Sequence, residues 1–146
     1  MTCIGVILSD YAVFDSSNIS ETVLTLLAIE RAGAKAIYFA PDKPQPHVIN
    51  HITAEAMAES RNVLVESARI VRGKVLPVDQ ADSVQLDALI LPGSLEAAKN
   101  SSHFADVDAD CIIDTDLQKL AQEIHKKNKS IGFVCIARQS CHYRSM

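Results

Sequence analysis

Short apolar runs recur along this chain, separated by longer segments of mixed character. A run without polar alternation is typical of a strand buried on both faces of a parallel sheet. Four such runs predict four strands, at residues 4–8, 36–40, 86–91 and 131–134. Prolines at 41, 44 and 46 follow the second run and predict an extended loop there.

The segments between the runs carry the apolar spacing of helices. Two long helices are predicted at residues 19–32 and 115–128, with shorter helical pieces at 54–58, 63–71 and 96–99. Asn18 fits an N-cap and Gly33 a C-cap of the first long helix. The side chains predicted to face the core are Ile19, Val23, Leu26 and Leu27 in the first helix and Leu117, Leu120 and Ile124 in the second.

Alternation of buried strands with helices predicts an α/β fold, an open parallel sheet with helices on both faces. The length of 146 residues fits one domain. Such sheets place their functional loops at the carboxyl ends of the strands. Here those ends are Ser9, Pro41, Pro92-Gly93 and Cys135.

Composition limits the kinds of partner that the protein is expected to bind. The net charge is -4 and no basic stripe occurs, so nucleic acid is not an expected partner. No apolar run reaches the length of a membrane span, so no membrane is expected either. The N-terminus lacks the charged start and long apolar segment of a signal peptide, which predicts a cytoplasmic protein with reduced cysteines. The four cysteines form no Cys-x-x-Cys pair, which argues against structural zinc.

Cys135 is the strongest candidate for chemistry. It ends the apolar run 130–134, and a strand that delivers a nucleophile to a sharp turn is how several α/β enzymes expose a reactive side chain. A thiolate there would be favoured by a following helix N-terminus and by hydrogen-bond donors. The alternative is a buried, inert cysteine, because free cysteine is among the most buried residue types.

Other polar clusters do not predict a metal site or a cofactor site. His47 and His51 have helical metal-ligand spacing, but the prolines before them disfavour a regular helix. The acidic residues Asp106, Asp108, Asp110 and Asp114 lack the Gly and terminal Glu of a calcium loop, and a solvated loop that caps the next helix fits them better. No phosphate-binding glycine pattern occurs, so nucleotide binding is not expected.

Several segments together resemble one family, the enhancing-lycopene-biosynthesis (ElbB-like) branch of the ThiJ/PfpI superfamily. The segments are Ile4-Gly5-Val6-Ile7-Leu8-Ser9, Phe39-Ala40-Pro41-Asp42, Val48-Ile49-Asn50-His51, Ser60-Arg61-Asn62-Val63-Leu64, Glu66-Ser67-Ala68-Arg69-Ile70, Leu91-Pro92-Gly93, Ala97-Ala98-Lys99-Asn100 and Cys135-Ile136-Ala137. The resemblance covers residues 1–137. It implies a flavodoxin-like, class I glutamine amidotransferase-like domain, and dimers are common in that superfamily, so a homodimer is an expectation.

The resemblance also implies a site. Cys135 would be the nucleophile at the elbow, and Glu21 the acidic residue of the first strand-helix unit beside it. Backbone N–H groups of Ser94 and Ile136 would form an oxyanion hole. The implied activity is a glyoxalase-type lyase reaction on small 2-oxoaldehydes that needs no cofactor or metal. From spacing alone, Asn18-x-x-Glu21 also fits a capping box, which leaves a purely structural role for Glu21 open.

The chain departs from the family pattern at three places. The family's glycine-rich first loop is replaced by Ser9-Asp10-Tyr11-Ala12, and its third loop by Pro92-Gly93-Ser94-Leu95-Glu96. Residues 138–146 match nothing in the family, so we expect an incomplete domain at 1–137, without the family's C-terminal third, followed by an aberrant tail. These departures keep a second reading open, a non-catalytic remnant or binding protein of the same fold.

Overall fold

A five-stranded parallel sheet forms the centre of the molecule. The computed structural model describes residues 1–9, 19–93 and 114–134. The strands are β1 (Cys3–Ile7), β2 (Lys35–Ala40), β5 (Val75–Pro77), β6 (Ala88–Leu91) and β7 (Ser130–Phe133). Their order in the sheet is β5-β2-β1-β6-β7, and every neighbouring pair is parallel. The predicted doubly wound α/β fold is confirmed.

Helices pack on both faces of this sheet. They are α1 (Ile19–Arg31), α2 (Val63–Ser67), a 3₁₀ helix (Val78–Gln80) and α3 (Thr115–Lys126). One core joins α3 to the sheet through Leu117, Leu120 and Ile124, as predicted from their spacing. The opposite core joins α1 to the sheet through Ile29 and the half-buried Leu26. In the part of the chain described, no helix has the length and apolar character to cross a membrane.

The ends of the long helices follow from local sequence. Gly33 adopts φ +69°, where a side chain would be strained, and its N–H donates to the carbonyl of Glu30 over 2.9 Å. The predicted C-cap is therefore confirmed, whereas the predicted N-cap Asn18 lies outside the described residues. At α3, Asp114 Oδ1 accepts from the N–H groups of Asp116 and Leu117, at 3.2 and 3.3 Å, so this aspartate does cap the next helix.

The predicted helical piece at 54–58 is wrong. Residues in this region form a small antiparallel ribbon of β3 (Ile49–Asn50) and β4 (Glu55–Ala56). The ribbon is continued by a bond from the N–H of Met57 to the carbonyl of Val48, 2.7 Å long. Pairing with a partner strand overrides local helix preference here. Strand β5 was not predicted from the sequence. The predicted 63–71 helix also ends early, at Ser67.

The predicted inward face of α1 is wrong at three of its four positions, and only Leu26 packs against the core as predicted. The structure buries Thr22 and Ile29 against the sheet and leaves Ile19, Val23 and Leu27 exposed. Almost every position of this helix outside its last turn is apolar or small, so periodicity alone does not select one face. The face that contacts the sheet is selected by the shape of β1 and β2, which only the tertiary structure provides.

Candidate active site

The carboxyl ends of three neighbouring strands define the candidate site. In the register of the sheet, Val6 of β1 lies opposite Ile90 of β6, and Ile90 lies opposite Gly132 of β7. Adjacent strands are spaced by about 4.8 Å, so the ends of β1 and β7 lie roughly 10 Å apart. The residues that follow β1 and β6, Ser9 and Pro92-Gly93, are buried at this edge.

The backbone just before Cys135 is fixed at the same edge. The N–H of Val134, the last described residue of that segment, donates to the carbonyl of Leu91 over 3.0 Å. This bond extends the β6–β7 pairing one residue beyond the strand. It therefore sets the points where two segments leave the sheet, one toward Ser94 and one toward Cys135.

Glu21 lies in the first turn of α1. That helix connects the carboxyl end of β1 to the amino end of β2, so its first turn lies at the carboxyl edge. The Glu21 side chain is half-buried, and its Oε2 atom is inaccessible to solvent. The helix thus holds this carboxylate at the carboxyl edge of the sheet, where an acid/base group can reach a substrate bound at that edge.

Thr22, beside Glu21, was not singled out by the sequence. Its side chain is wholly buried, and its hydroxyl makes no hydrogen bond to any part of the chain that the structure describes. Buried hydroxyls are nearly always hydrogen-bonded, because leaving one without a partner costs about 1–3 kcal/mol. No distinct signal in the sequence marks it, because Ser20 and Thr25 are small polar residues of the same helix.

A charged pair bridges two other segments at this edge. The ammonium of Lys43, which follows β2, lies 3.3 Å from Oδ2 of Asp114. Asp114 also caps α3, so one carboxylate anchors both the helix and the loop after β2. Next to this pair, the side chain of Asn62 donates to Asp42 over 2.9 Å and fixes the start of α2.

Of the four predicted site residues, the structure describes Glu21. Cys135, Ser94 and Ile136 lie outside the described residues, as do Asp106, Asp108 and Asp110. Among the described residues, no group of three His, Cys, Asp or Glu side chains is placed to hold a metal ion. His47 is exposed, and His51 lies in the β3–β4 turn, where its Nδ1 is 3.0 Å from the carbonyl oxygen of Ile49.

Comparison with known proteins identifies homologues of the chain. The rat mitochondrial ES1 protein homolog is 43% identical over 135 residues, which cover 92% of this chain and 51% of that protein. The human mitochondrial glutamine amidotransferase-like class 1 domain-containing protein 3 is 42% identical, with 92% and 50% covered. The chain thus spans about half the length of these curated relatives. No protein-family profile matches it.

Superposition on solved structures identifies the fold. An isoprenoid biosynthesis protein with an amidotransferase-like domain from Ehrlichia chaffeensis superposes with a TM-score of 0.89 at 38% identity, over 93% of this chain and 64% of that one. A two-domain protein from Anabaena variabilis, with DJ-1/ThiJ/PfpI-like and ferritin-like domains, gives 0.59 at 11% identity, over 96% and 31%. The fold is that of the DJ-1/ThiJ/PfpI proteins. The homologues of the chain are glutamine amidotransferase-like class 1 proteins.

Proposed function

We propose that the chain, as a member of the ElbB-like branch of this superfamily, converts small 2-oxoaldehydes to 2-hydroxy acids in a glyoxalase-like lyase reaction. The observation that carries the proposal is the location of Glu21, a carboxylate with one solvent-inaccessible oxygen on the first turn of a helix at the carboxyl edge. Cys135 directly follows Val134 in the sequence, and the main-chain N–H of Val134 is bonded at the same edge.

The reaction needs only these groups and water. The Cys135 thiolate adds to the aldehyde carbon, and the oxyanion takes up a proton to give a hemithioacetal. Glu21 then removes the proton from that carbon and returns one to the neighbouring carbon, which leaves a thioester of a 2-hydroxy acid. Water hydrolyses the thioester, releases the acid and regenerates the thiol. One carbon is oxidised and its neighbour reduced, so no external oxidant or cofactor is required.

Backbone N–H groups stabilise the oxyanions in this proposal. In this proposal the N–H groups of Ser94 and Ile136 receive the negative charge that forms on the substrate oxygen. Ser94 directly follows Gly93, and Ile136 lies two residues after Val134, so both follow segments that the β6–β7 pairing brings together. A side chain at position 94, where the family has glycine, narrows the space for substrate and favours the smallest 2-oxoaldehydes.

Two cysteines provide a matched test of the nucleophile. Cys3 begins β1 at the amino edge of the sheet, far from the candidate site, whereas Cys135 comes next in the sequence after Val134, where the described segment ends at the carboxyl edge. With glyoxal or methylglyoxal as substrate, Cys135→Ala should abolish formation of the hydroxy acid, and Cys3→Ala should leave the rate unchanged. Glu21→Gln should lower the rate by about 10²- to 10⁴-fold while the far-UV spectrum stays that of the parent.

Thiol labelling separates this proposal from the non-catalytic reading. Alkylation of Cys135 by iodoacetamide should follow an apparent pKa well below the roughly 8.5 of a free thiol. A parent chain that consumes no 2-oxoaldehyde, with Cys135 reacting as an ordinary thiol, would overturn the enzyme proposal in favour of a binding protein of the same fold. We also propose a cytoplasmic location; the two curated relatives are named as mitochondrial, and cell fractionation decides between the two compartments.

A further inference from the structure

A groove of about 840 Å³ opens on the face of the sheet that α1 covers. Helix α1 forms one wall of the groove, residues 70–74 form the other, and β2 forms most of the floor. Helix α1 runs from the carboxyl edge of the sheet to the amino edge, so the groove extends in the same direction. Its volume is within the range of about 300–1,000 Å³ that is usual for small-molecule sites.

Apolar side chains form the walls of the groove, and its floor is low. Ala36 and Tyr38 lie on the same side of β2, because side chains alternate along a strand, and Ala34 directly precedes that strand. The two alanines leave the space between the walls open. The apolar wall residues are Val23, Leu26, Leu27 and Ile29 of α1 and Ile70 and Val71 of the opposite segment. A concave surface with this lining suits an apolar ligand.

Charged residues line the groove at one end. Glu30 lies in the last turn of α1 and Lys74 directly precedes β5, so both are at the amino edge of the sheet. Arg72 lies two residues before Lys74 and lines the same end. Between this end and Val23, in the second turn of α1, the lining is apolar apart from the hydroxyl of Tyr38. The groove is therefore apolar along its length and charged at its amino-edge end.

The two cations of this end do not stabilise the fold through a bond of their own. In the part of the chain that the structure describes, the side chains of Arg72 and Lys74 form no ion pair or hydrogen bond, and Glu30 pairs with neither. Arg31, next to Glu30 in the chain, adds a third exposed cation at this edge. The C-terminus of α1 adds only about half a negative charge. This end of the groove is therefore positive, although the whole chain has a net charge of -4.

The backbone at Arg72 is an independent observation at the same end. Arg72 adopts φ +56°, in the left-handed region where an L side chain is strained, and Gly73 follows at φ +78°. The N–H of Gly73 donates to the carbonyl of Ala68 over 2.8 Å and closes this turn. Glycine at position 72 would allow the same turn without strain. Side chains held in strained backbone positions cluster at ligand-binding sites.

We infer that this groove binds a monocarboxylate with an unbranched apolar chain, a ligand of the fatty-acid class. Arg72 and Lys74 hold the carboxylate, since a guanidinium can donate two parallel hydrogen bonds to it, and the chain lies between the apolar walls. The wall from Val23 to Glu30 is about 10 Å long at about 1.5 Å per residue, which suits a chain of about ten carbons.

The carboxylate of Glu30 restricts the charge of the ligand. It lies at the same end as the two cations, so it repels the second charge of a dianion such as a phosphate monoester. The inference goes beyond the proposed function and is independent of it. The charged end of the groove is at the amino edge of the sheet, whereas Glu21 lies at the carboxyl edge.

Calorimetric titration of the full chain with sodium decanoate, below the concentration at which it forms micelles, tests the site. We expect one saturable site per chain. Arg72→Gly removes both the guanidinium and the backbone strain, so it should raise the dissociation constant at least about tenfold without lowering stability in urea. The matched control is Arg69→Met. Arg69 pairs with Glu66 at 2.8 Å and does not line the groove, so its loss should leave the dissociation constant unchanged.

A series of ligands tests which parts of the ligand are recognised. From hexanoate to decanoate, each added methylene should lower the dissociation constant about two- to fourfold, because it enters the apolar part of the groove. Decanol, which has no charge, and decyl phosphate, which has a second one, should each bind at least about tenfold more weakly than decanoate. The inference is overturned if decanoate shows no saturable site or if chain length has no effect. Equal binding of decanol, tighter binding of decyl phosphate, or equal effects of Arg72→Gly and Arg69→Met would overturn it as well.

Discussion

The ammonium of Lys129 lies 2.5 Å from the main-chain carbonyl oxygen of Leu86. The same ammonium reaches the carbonyl of Ser83 at 2.8 Å and that of Val84 at 3.3 Å. These three acceptors belong to the loop before β6, and Lys129 directly precedes β7. The Lys129 ammonium therefore donates to carbonyl groups that are not paired within the sheet. It links the segment before β6 to the start of β7 at the amino edge.

Removal of this ammonium should destabilise the fold. We expect Lys129→Met, which keeps the length of the side chain, to lower the free energy of unfolding by about 2–3 kcal/mol in urea titrations. Lys127→Met is the matched control. Lys127 is exposed and donates one bond, 2.6 Å long, to the hydroxyl of Ser83, so its loss should cost at most about 1 kcal/mol. Equal effects of the two substitutions would contradict the assigned role.

Two glycines of the sheet should respond differently to alanine. A Cβ at Gly5 would lie 2.8 Å from Leu86 Cδ1 and 3.0 Å from Leu89 Cδ1, both in the core, so these side chains would have to move. A Cβ at Gly132 would meet Ile90 Cγ1 at 3.5 Å, an ordinary contact. Gly5→Ala should destabilise by about 1–3 kcal/mol. Gly132→Ala should change stability by less than about 0.5 kcal/mol, as measured by the same titrations.

The buried hydroxyl of Thr22 should be dispensable for stability. Thr22→Val keeps the shape of the side chain and removes a polar atom without a hydrogen-bond partner in the described structure. We expect the free energy of unfolding to stay the same or to rise by about 1 kcal/mol. A loss of more than about 1 kcal/mol, measured by urea titration, would show that the hydroxyl has a partner in the folded chain.

Asp82 should make the stability depend on pH at the acidic end. The N–H of Val84 and then the side chain of Gln85 donate to its carboxylate, at 2.8 and 3.1 Å, and lower its pKa, and Lys127 and Lys129 act in the same direction. Because the folded pKa is lower than the unfolded one, the stabilisation is present above the unfolded pKa and is lost as the pH falls through the folded value.

The matching variant is Asp82→Asn. It should be less stable than the parent near neutral pH, and the difference should shrink as the pH falls below about 4, where the parent carboxyl takes up its proton. Unfolding free energies measured at a series of pH values check this expectation. A difference in unfolding free energy that stays constant down to the lowest pH would show that these donors do not stabilise the Asp82 carboxylate.

The sequence predicted the framework of the fold because its signals are local. Continuous apolar runs identify buried parallel strands, and β1, β2, β6 and β7 lie within about two residues of their predicted positions. Gly33 ends α1 because only a residue without a side chain adopts φ +69° without strain. The inward face of α3 was correct because polar residues occupy every other side of that helix.

Only the tertiary structure decided what depends on a distant partner. Residues 55–57 pair with 48–50 instead of forming part of a helix, since the ribbon supplies hydrogen bonds that no local signal encodes. Ile19, Val23 and Leu27 are exposed and Thr22 is buried, because a helix with apolar residues on several sides has no preferred face until a sheet selects one. The sequence determined Cys135 and Glu21 as candidates. The pairing of the strands decided that β7, which precedes Cys135, ends at the same edge of the sheet as the first turn of α1, which holds Glu21. Register is set by strand pairing across the whole sheet, so no local signal predicts it.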